Sequence, residues 1–150
     1  MEIREAPLSD RLAHELITLS EDWAAEDICR GYGKNGREDL VGNRIFLAEE
    51  DGAVIGYLMG RQVVAGKTNS VMEVGTVYFE VEELYVKPAH RSQGVGSALF
   101  RYMEAHLEPE LRYVLLASAA KNYKAVLHFY IEELGMEFWS ATLFKKLSDK

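Results

Sequence analysis

The sequence predicts an α/β fold, one mixed sheet with helices on its faces. Three observations lead there. Extended apolar runs recur between residues 44 and 118, and two later stretches place apolar residues at helical spacing. Between them, the run from Val77 to Val86 passes through a glycine-containing turn directly into a helix. Strands alternating with helices bury both sides of a sheet.

Taken in order, Met1 to Ala6 reads as a short strand ended by Pro7. Ser9 is a suitable N-cap for a helix carrying Leu12, Leu16 and Leu19. Ser20 is a suitable cap for a second helix, with Glu21 and Asp22 in its first turn and Trp23 and Ile28 turned inward. Arg44 to Glu50 and Ala53 to Gln62 flank Asp51-Gly52, a strong hairpin signal. Gly56 and Gly60 in the second run point to a bend or a close backbone approach, and Ala65 to Gly75 reads as a hairpin connection.

In the next strand, Val77, Phe79 and Val81 are apolar at period two, whereas Leu84 and Val86 continue on the opposite parity. A change of phase requires an inserted residue, so a β-bulge is expected near Glu82 and Glu83. Val95, Leu99, Tyr102, Met103 and His106 trace one helix face, and Pro109 stops that helix. Arg112 to Ser118 reads as a buried strand. Asn122 caps a helix bearing Tyr123, Leu127, Tyr130 and Leu134, with Gly135 as its C′ residue, and Glu137 to Leu147 reads as a final strand.

The 150 residues fit one domain spanning 1–150, and 48% hydrophobic content suffices for its core. A net charge of -7 argues against nucleic acid and accommodates a cationic partner better. Cys29 is the only cysteine, which excludes an internal disulfide and a thiolate metal cluster. The four histidines show no metal-ligand spacing. No signal peptide or membrane-spanning run is evident, so a cytoplasmic location is expected.

Three glycine motifs compete for attention. Gly31-Tyr32-Gly33-Lys34-Asn35-Gly36 matches a dinucleotide fingerprint but follows a helix instead of a strand, so it reads as a loop. Gly66-Lys67-Thr68 lacks the first glycine of a P-loop, and a strand follows it. Arg91-Ser92-Gln93-Gly94-Val95-Gly96-Ser97 has the right setting: a strand delivers free amides to a helix N-terminus, where backbone and dipole attract an anion. Phosphate is the expected guest.

At Arg91-x-x-Gly94-x-Gly96 the sequence resembles the GNAT superfamily of acyl-CoA-dependent N-acyltransferases, with Leu84-Tyr85-Val86 and Pro88 just upstream. A second block that resembles the family is Asn122-x-x-Ala125-x-x-x-Phe129-Tyr130-x-x-x-x-Gly135. Departures are Gly135-Met136 where Gly-Phe is common, and the longer approach Ala119-Ala120-Lys121. The resemblance implies a mostly antiparallel sheet whose fourth and fifth strands run parallel and splay apart, holding acetyl-CoA in the gap. It assigns the pyrophosphate to backbone amides from Gln93 through Ser97, including those of Gly94, Val95 and Gly96. Arg91 and Ser92 sit in the same turn. The main chain of Leu84, Tyr85 and Val86 would pair with the pantetheine arm, and Asn122 and Ala125 would line its other side. Dimerisation is common in the family, although no motif here shows it.

Transfer to an amine begins with deprotonation: at a pKa of ~10.4 only one amine in ~2,500 is neutral at pH 7. Glu80, Glu82 and Glu83 are the candidate bases, and the bulge decides which faces the acceptor. By resemblance, Glu80 matches the base of the histone-acetylating branch and Tyr130 matches the general acid. A main-chain N–H near Leu84 or Tyr85 is placed to stabilise the oxyanion. The expected activity is acetyl transfer from acetyl-CoA to a primary amine of a small molecule or a protein, without a metal. Alternatives are a non-catalytic CoA sensor and a transferase using a longer acyl-CoA.

Overall fold

Apolar residues on both faces of one long strand require cover on both sides, and the architecture follows from that demand. The computed structural model describes residues 1–148. Its sheet contains β1 (Glu2–Ala6), β2 (Arg44–Glu50), β3 (Ala53–Val64), β4 (Val77–Val86) and β5 (Tyr113–Leu115), in that spatial order. The first four strands pair antiparallel, and β5 pairs parallel to β4. The helices are α1 (Asp10–Glu26), α2 (Val95–Ala105) and α3 (Tyr123–Leu127); α3 continues as a π-helical turn over His128–Glu133.

Central β3 presents Tyr57 and Met59 to α1, which covers them with Leu12, Ala13, Leu16 and Leu19. Its other face presents Ile55 and Leu58, covered with Phe79 and Val81 by Val95, Leu99, Phe100 and Met103 around α2. The Asp51-Gly52 hairpin forms with both residues at positive φ, 53° and 79°, the conformation whose twist matches that of its strands.

The expected bulge is present. Met59 pairs with Glu83 and Gly60 with Val81, leaving Glu82 as the additional residue. This keeps Phe79, Val81, Leu84 and Val86 all on the α2 side despite their opposite parities. Gly60 permits the arrangement: a Cβ there would meet the Glu80 carbonyl oxygen and approach the Phe79 ring to 2.7 Å.

Four local expectations are corrected. The two helices expected between residues 9 and 28 form one, because Ser9 Oγ accepts from Leu12 N at the start and nothing interrupts the helix at Ser20. Ser20 is wholly buried and bonds outward to the loop that follows. Ile28, expected to turn inward, is 39% exposed because it lies beyond the end of α1. The buried strand expected over 112–118 is reduced to β5, whose residues stay partly exposed at the sheet edge. The final strand expected over 137–147 is absent: among the described residues that segment has no partner strand, leaving Leu143, Phe144 and Leu147 exposed. Its visible anchors are Trp139 Nε1 donating to Ser70 Oγ and Arg30 lying over the Phe144 ring.

Candidate active site

β4 and β5 stay paired only from Tyr78–Tyr113 to Glu80–Leu115. Beyond the bulge, β4 continues to Val86 with no partner strand on that side among the described residues, so the two chains diverge into a gap. Lys87 N donates to Ile55 O, and Gly56 pairs with Val86. By the alternation of an antiparallel ladder, the backbone groups of Leu84 and Val86 therefore face the gap, while those of Tyr85 face β3. The Val86 carbonyl is already engaged, accepting from Arg91 Nε at 2.8 Å.

At the mouth of the gap the chain enters α2 through Ser92 (φ 60°) and Gly94 (φ 85°). Ala98 N donates to Gly94 O, the first bond of the helix. The amides of Val95, Gly96 and Ser97 precede any intrahelical acceptor, and no side chain caps them. Ser92, Gln93 and Gly94 are exposed, and a Cβ at Gly94 would meet nothing. Gly96 has a packing role as well, since a Cβ there would lie 3.2 Å from the Phe129 ring. Asn122 and Ala125, both exposed, stand at the start of α3, and the Asn122 side chain makes no capping bond.

Arg91 is held away from this anion site. Its guanidinium grips Glu26 through both nitrogens, at 2.6 and 2.9 Å, and Tyr85 donates its hydroxyl to the same carboxylate at 2.8 Å. The Arg91 bond holds the Glu26 carboxyl below its ordinary range against the cost of burial. Trp23 stacks on Tyr85 at 5.1 Å, completing a contact between α1 and the end of β4.

The three glutamates lie on the α1 face in different surroundings. Glu83 accepts from Tyr57 Oη at 2.6 Å, from the Asn35 amide at 3.0 and 3.1 Å, and from Tyr32 Oη at 3.3 Å. Burial pushes its carboxyl up, and these donors work against that rise. Ser20 extends the network, accepting from Asn35 N and sharing a 2.7 Å bond with Tyr32. Glu82 is exposed, with Arg61 Nε 3.4 Å away; burial and the adjacent Glu80 raise its carboxyl. A cavity of about 200 Å³ lies at the paired ends of β4 and β5, lined by Tyr78, Leu115, Met72 and Trp139 among others.

Tyr130 approaches from the opposite side on the π-helical turn, where Leu134 N reaches back five residues to Phe129 O. Packing against Phe100 and Phe129 buries it, and its hydroxyl is pushed up to about 12. Sequence reasoning did not assign Glu26, Tyr32, Asn35 and Tyr57 to these bonds, whose partners on and after β4, Glu83 and Arg91, lie 26 to 65 residues away along the chain. No local pattern marks them.

The gap between β4 and β5 thus has an uncapped helix N-terminus at its mouth and carboxylates at its bulge. Residues 13–136 match the family model described as the acetyltransferase (GNAT) family. The chain belongs to that family, and it is an acetyltransferase. Among solved structures it is similar to a ribosomal-protein-alanine N-acetyltransferase from Brucella melitensis biovar Abortus 2308, at 19% identity and a TM-score of 0.67, over 97% of this chain and 100% of that one. It is also similar to aminoglycoside 6'-N-acetyltransferase AAC(6')-IG from Acinetobacter haemolyticus, at 20% identity and 0.66, over 99% and 100%. A third similar structure is aminoglycoside N-acetyltransferase AAC(6')-Iy in complex with CoA, at 16% identity and 0.67, over 98% and 99%. These likenesses show the fold. No curated protein gives a significant match. Among the described residues no helix is long and apolar enough to cross a membrane, and no cluster of ligating side chains could hold a metal ion.

Proposed function

We propose that the protein, acting as one domain, transfers an acetyl group from acetyl-CoA to a primary amine by direct attack within a ternary complex. The observation that carries this reading is the open edge of β4 running from the bulge to the uncapped amides of α2. Amides from Gln93 through Ser97 receive the pyrophosphate, with the helix dipole behind them. The pantetheine arm adds to the free edge at Leu84 and Val86 in the manner of a strand, with Asn122 and Ala125 opposite. Arg91 serves by fixing the turn through Glu26 and Val86.

Glu83 has its acceptor capacity committed to Tyr57, Asn35 and Tyr32, which makes it an anchor for the 31–36 loop. Glu80 and Glu82 remain to take the proton of the ammonium. Burial, and after it the adjacent Glu80, raise Glu82 toward the pH at which a base is most effective. The Leu84 amide, facing the gap, stabilises the carbonyl oxygen as the amine attacks. Tyr130, protonated at neutral pH, supplies a proton to the departing thiolate. The acceptor is an amine on a small molecule or on a protein. The neighbours named for aminoglycosides and for a ribosomal-protein alanine supply the first panel to try.

The test is thermal unfolding with and without acetyl-CoA, on the wild type and on Gly94→Glu. A ligand at ~100 times its dissociation constant stabilises by ~2.7 kcal/mol. A shift in the wild type that is lost in the folded variant supports the donor site; no shift at millimolar acetyl-CoA removes the reading. Glu80, Glu82 and Tyr130 variants that acetylate as well as wild type would leave binding without these catalytic roles.

A further inference from the structure

The residues following α1 cross the donor gap. On one side, Glu26 is fastened to β4 and the glycine turn through Tyr85 and Arg91. On the other, Arg30 N donates to Ala119 O at 3.0 Å and Lys121 N to Ile28 O at 2.9 Å, making Cys29 and Ala120 an antiparallel bridge. Lys121 Nζ also pairs with Asp27 at 3.1 Å. Residues 119–121 continue the chain beyond β5, so the short segment 26–30 joins the two walls that β4 and β5 leave apart.

Among the described residues the attachment beyond Glu26 consists of two backbone bonds, one exposed ion pair and the Arg30 guanidinium lying over the Phe144 ring. Its ends carry left-handed residues, with Asp27 at φ 53° and Gly31 at φ 73°. A non-glycine residue at positive φ closes α1, and a glycine opens the loop that follows. A segment with rigid anchors, left-handed residues at both ends and few bonds between them can swing as a unit.

We propose that residues 27–31 form a strap, closed in the free protein, that must release Ala119–Lys121 for acetyl-CoA to be laid into the gap or withdrawn. The strap roofs the stretch where Leu84 and Val86 expose their backbone, and α2 and α3 close the opposite side through the contact of Gly96 with Phe129. Glu26, bonded to Arg91, remains the fixed end. The proposal rests on the donor-gap reading for its ligand, whereas the opening itself is a property of the free chain.

The single cysteine allows a direct test. The backbone bonds place Cys29 and Ala120 as a non-hydrogen-bonded antiparallel pair, whose Cα atoms are typically ~4.5 Å apart, within the range a disulfide spans. Ala120→Cys oxidised in the absence of ligand locks the strap; tris(carboxyethyl)phosphine releases it. Acetyl-CoA serves as the probe because it has no free thiol to exchange with the disulfide. On immobilised protein, acetyl-CoA association should be lost or strongly slowed in the oxidised variant and return on reduction. Equal association in the two states would overturn the proposal. Hydrogen exchange on the free wild type provides an arm independent of the donor: the Arg30 and Lys121 amides should exchange well before core amides such as that of Met103. Exchange of all three together, only on global unfolding, would also overturn it. Failure of acetyl-CoA to bind the reduced wild type would remove the donor reading, with strap opening still decided by exchange.

Discussion

Arg91 and Glu26, 65 residues apart, meet in a two-nitrogen bond at 2.6 and 2.9 Å that joins the last turn of α1 to the glycine turn before α2. The pair is partly exposed, at 36% and 20% of side-chain surface, so its strength lies between that of a surface pair and a buried one. Glu26→Gln should cost about 1–2 kcal/mol at pH 7. The folded Glu26 carboxyl titrates below its reference value of 4.5. Its contribution is therefore complete above that pH and is lost as pH falls through the lowered folded value. Urea unfolding of both proteins between pH 3 and 7 should show the difference closing at the acid end.

Tyr57 donates to Glu83 at 2.6 Å within the network that holds the 31–36 loop. Tyr57→Phe removes a donor from a carboxylate already pushed up by burial, and should cost about 1–3 kcal/mol at pH 7. The lost bond had been lowering the Glu83 value, so the variant titrates higher still. The deficit should shrink as pH falls and Glu83 becomes protonated in both proteins. Denaturant midpoints against pH check this.

Gly60 and Gly94 are both glycines by necessity, for different reasons. Gly60→Ala drives a methyl into the Glu80 carbonyl and the Phe79 ring opposite the bulge, and should cost about 3 kcal/mol or more. Gly94→Ala meets no atom but adopts φ 85°, a strain of about 1–2 kcal/mol. Thermal unfolding should rank the two in that order.

With Glu80 and Glu82 proposed as the groups that take the acceptor's proton, the double change to Gln should lower kcat/KM by ~10²–10⁴. A carboxylate base gives a rate that rises with pH through its own titration. Glu80 raises Glu82, so Glu80→Gln should move the acid limb of the pH–rate profile to lower pH. A limb unmoved by the substitution would exclude Glu82 as the base.

Tyr130→Phe should slow turnover by about tenfold, less than a full acid–base contribution, because a thiolate with a pKa of ~8.5 leaves with little help. The variant keeps the ring that packs on Phe100 and Phe129, so thermal stability should change little. Single-turnover acetyl transfer measures the effect.

Much of the frame was legible because it is written locally. Extended apolar runs marked the strands of the β2–β3 hairpin, Asp51-Gly52 marked their turn, and the phase change between Val81 and Leu84 located the bulge before any pairing was known. The glycine turn with its uncapped helix was equally plain. Ser20 misled because serine caps helices and also serves in their interiors. Only the loop carrying Tyr32 and Asn35 shows which role it plays. The segment 137–147 misled in a related way: an apolar, β-prone stretch marks a capacity to pair, and pairing needs an available partner.

The sequence alone therefore determined most of the order of the elements, the bulge and the glycine turn, because backbone preference and side-chain period act over a few residues. The tertiary structure decided what each charged group does. It placed Arg91 on Glu26, committed Glu83 to Tyr57 and Asn35, left Glu80 beside Glu82, and carried residues 28–30 across the gap to 119–121. Partners of that kind are brought together by packing the two faces of the sheet, and a carboxylate's chemistry follows from the donors and charges that the fold sets around it.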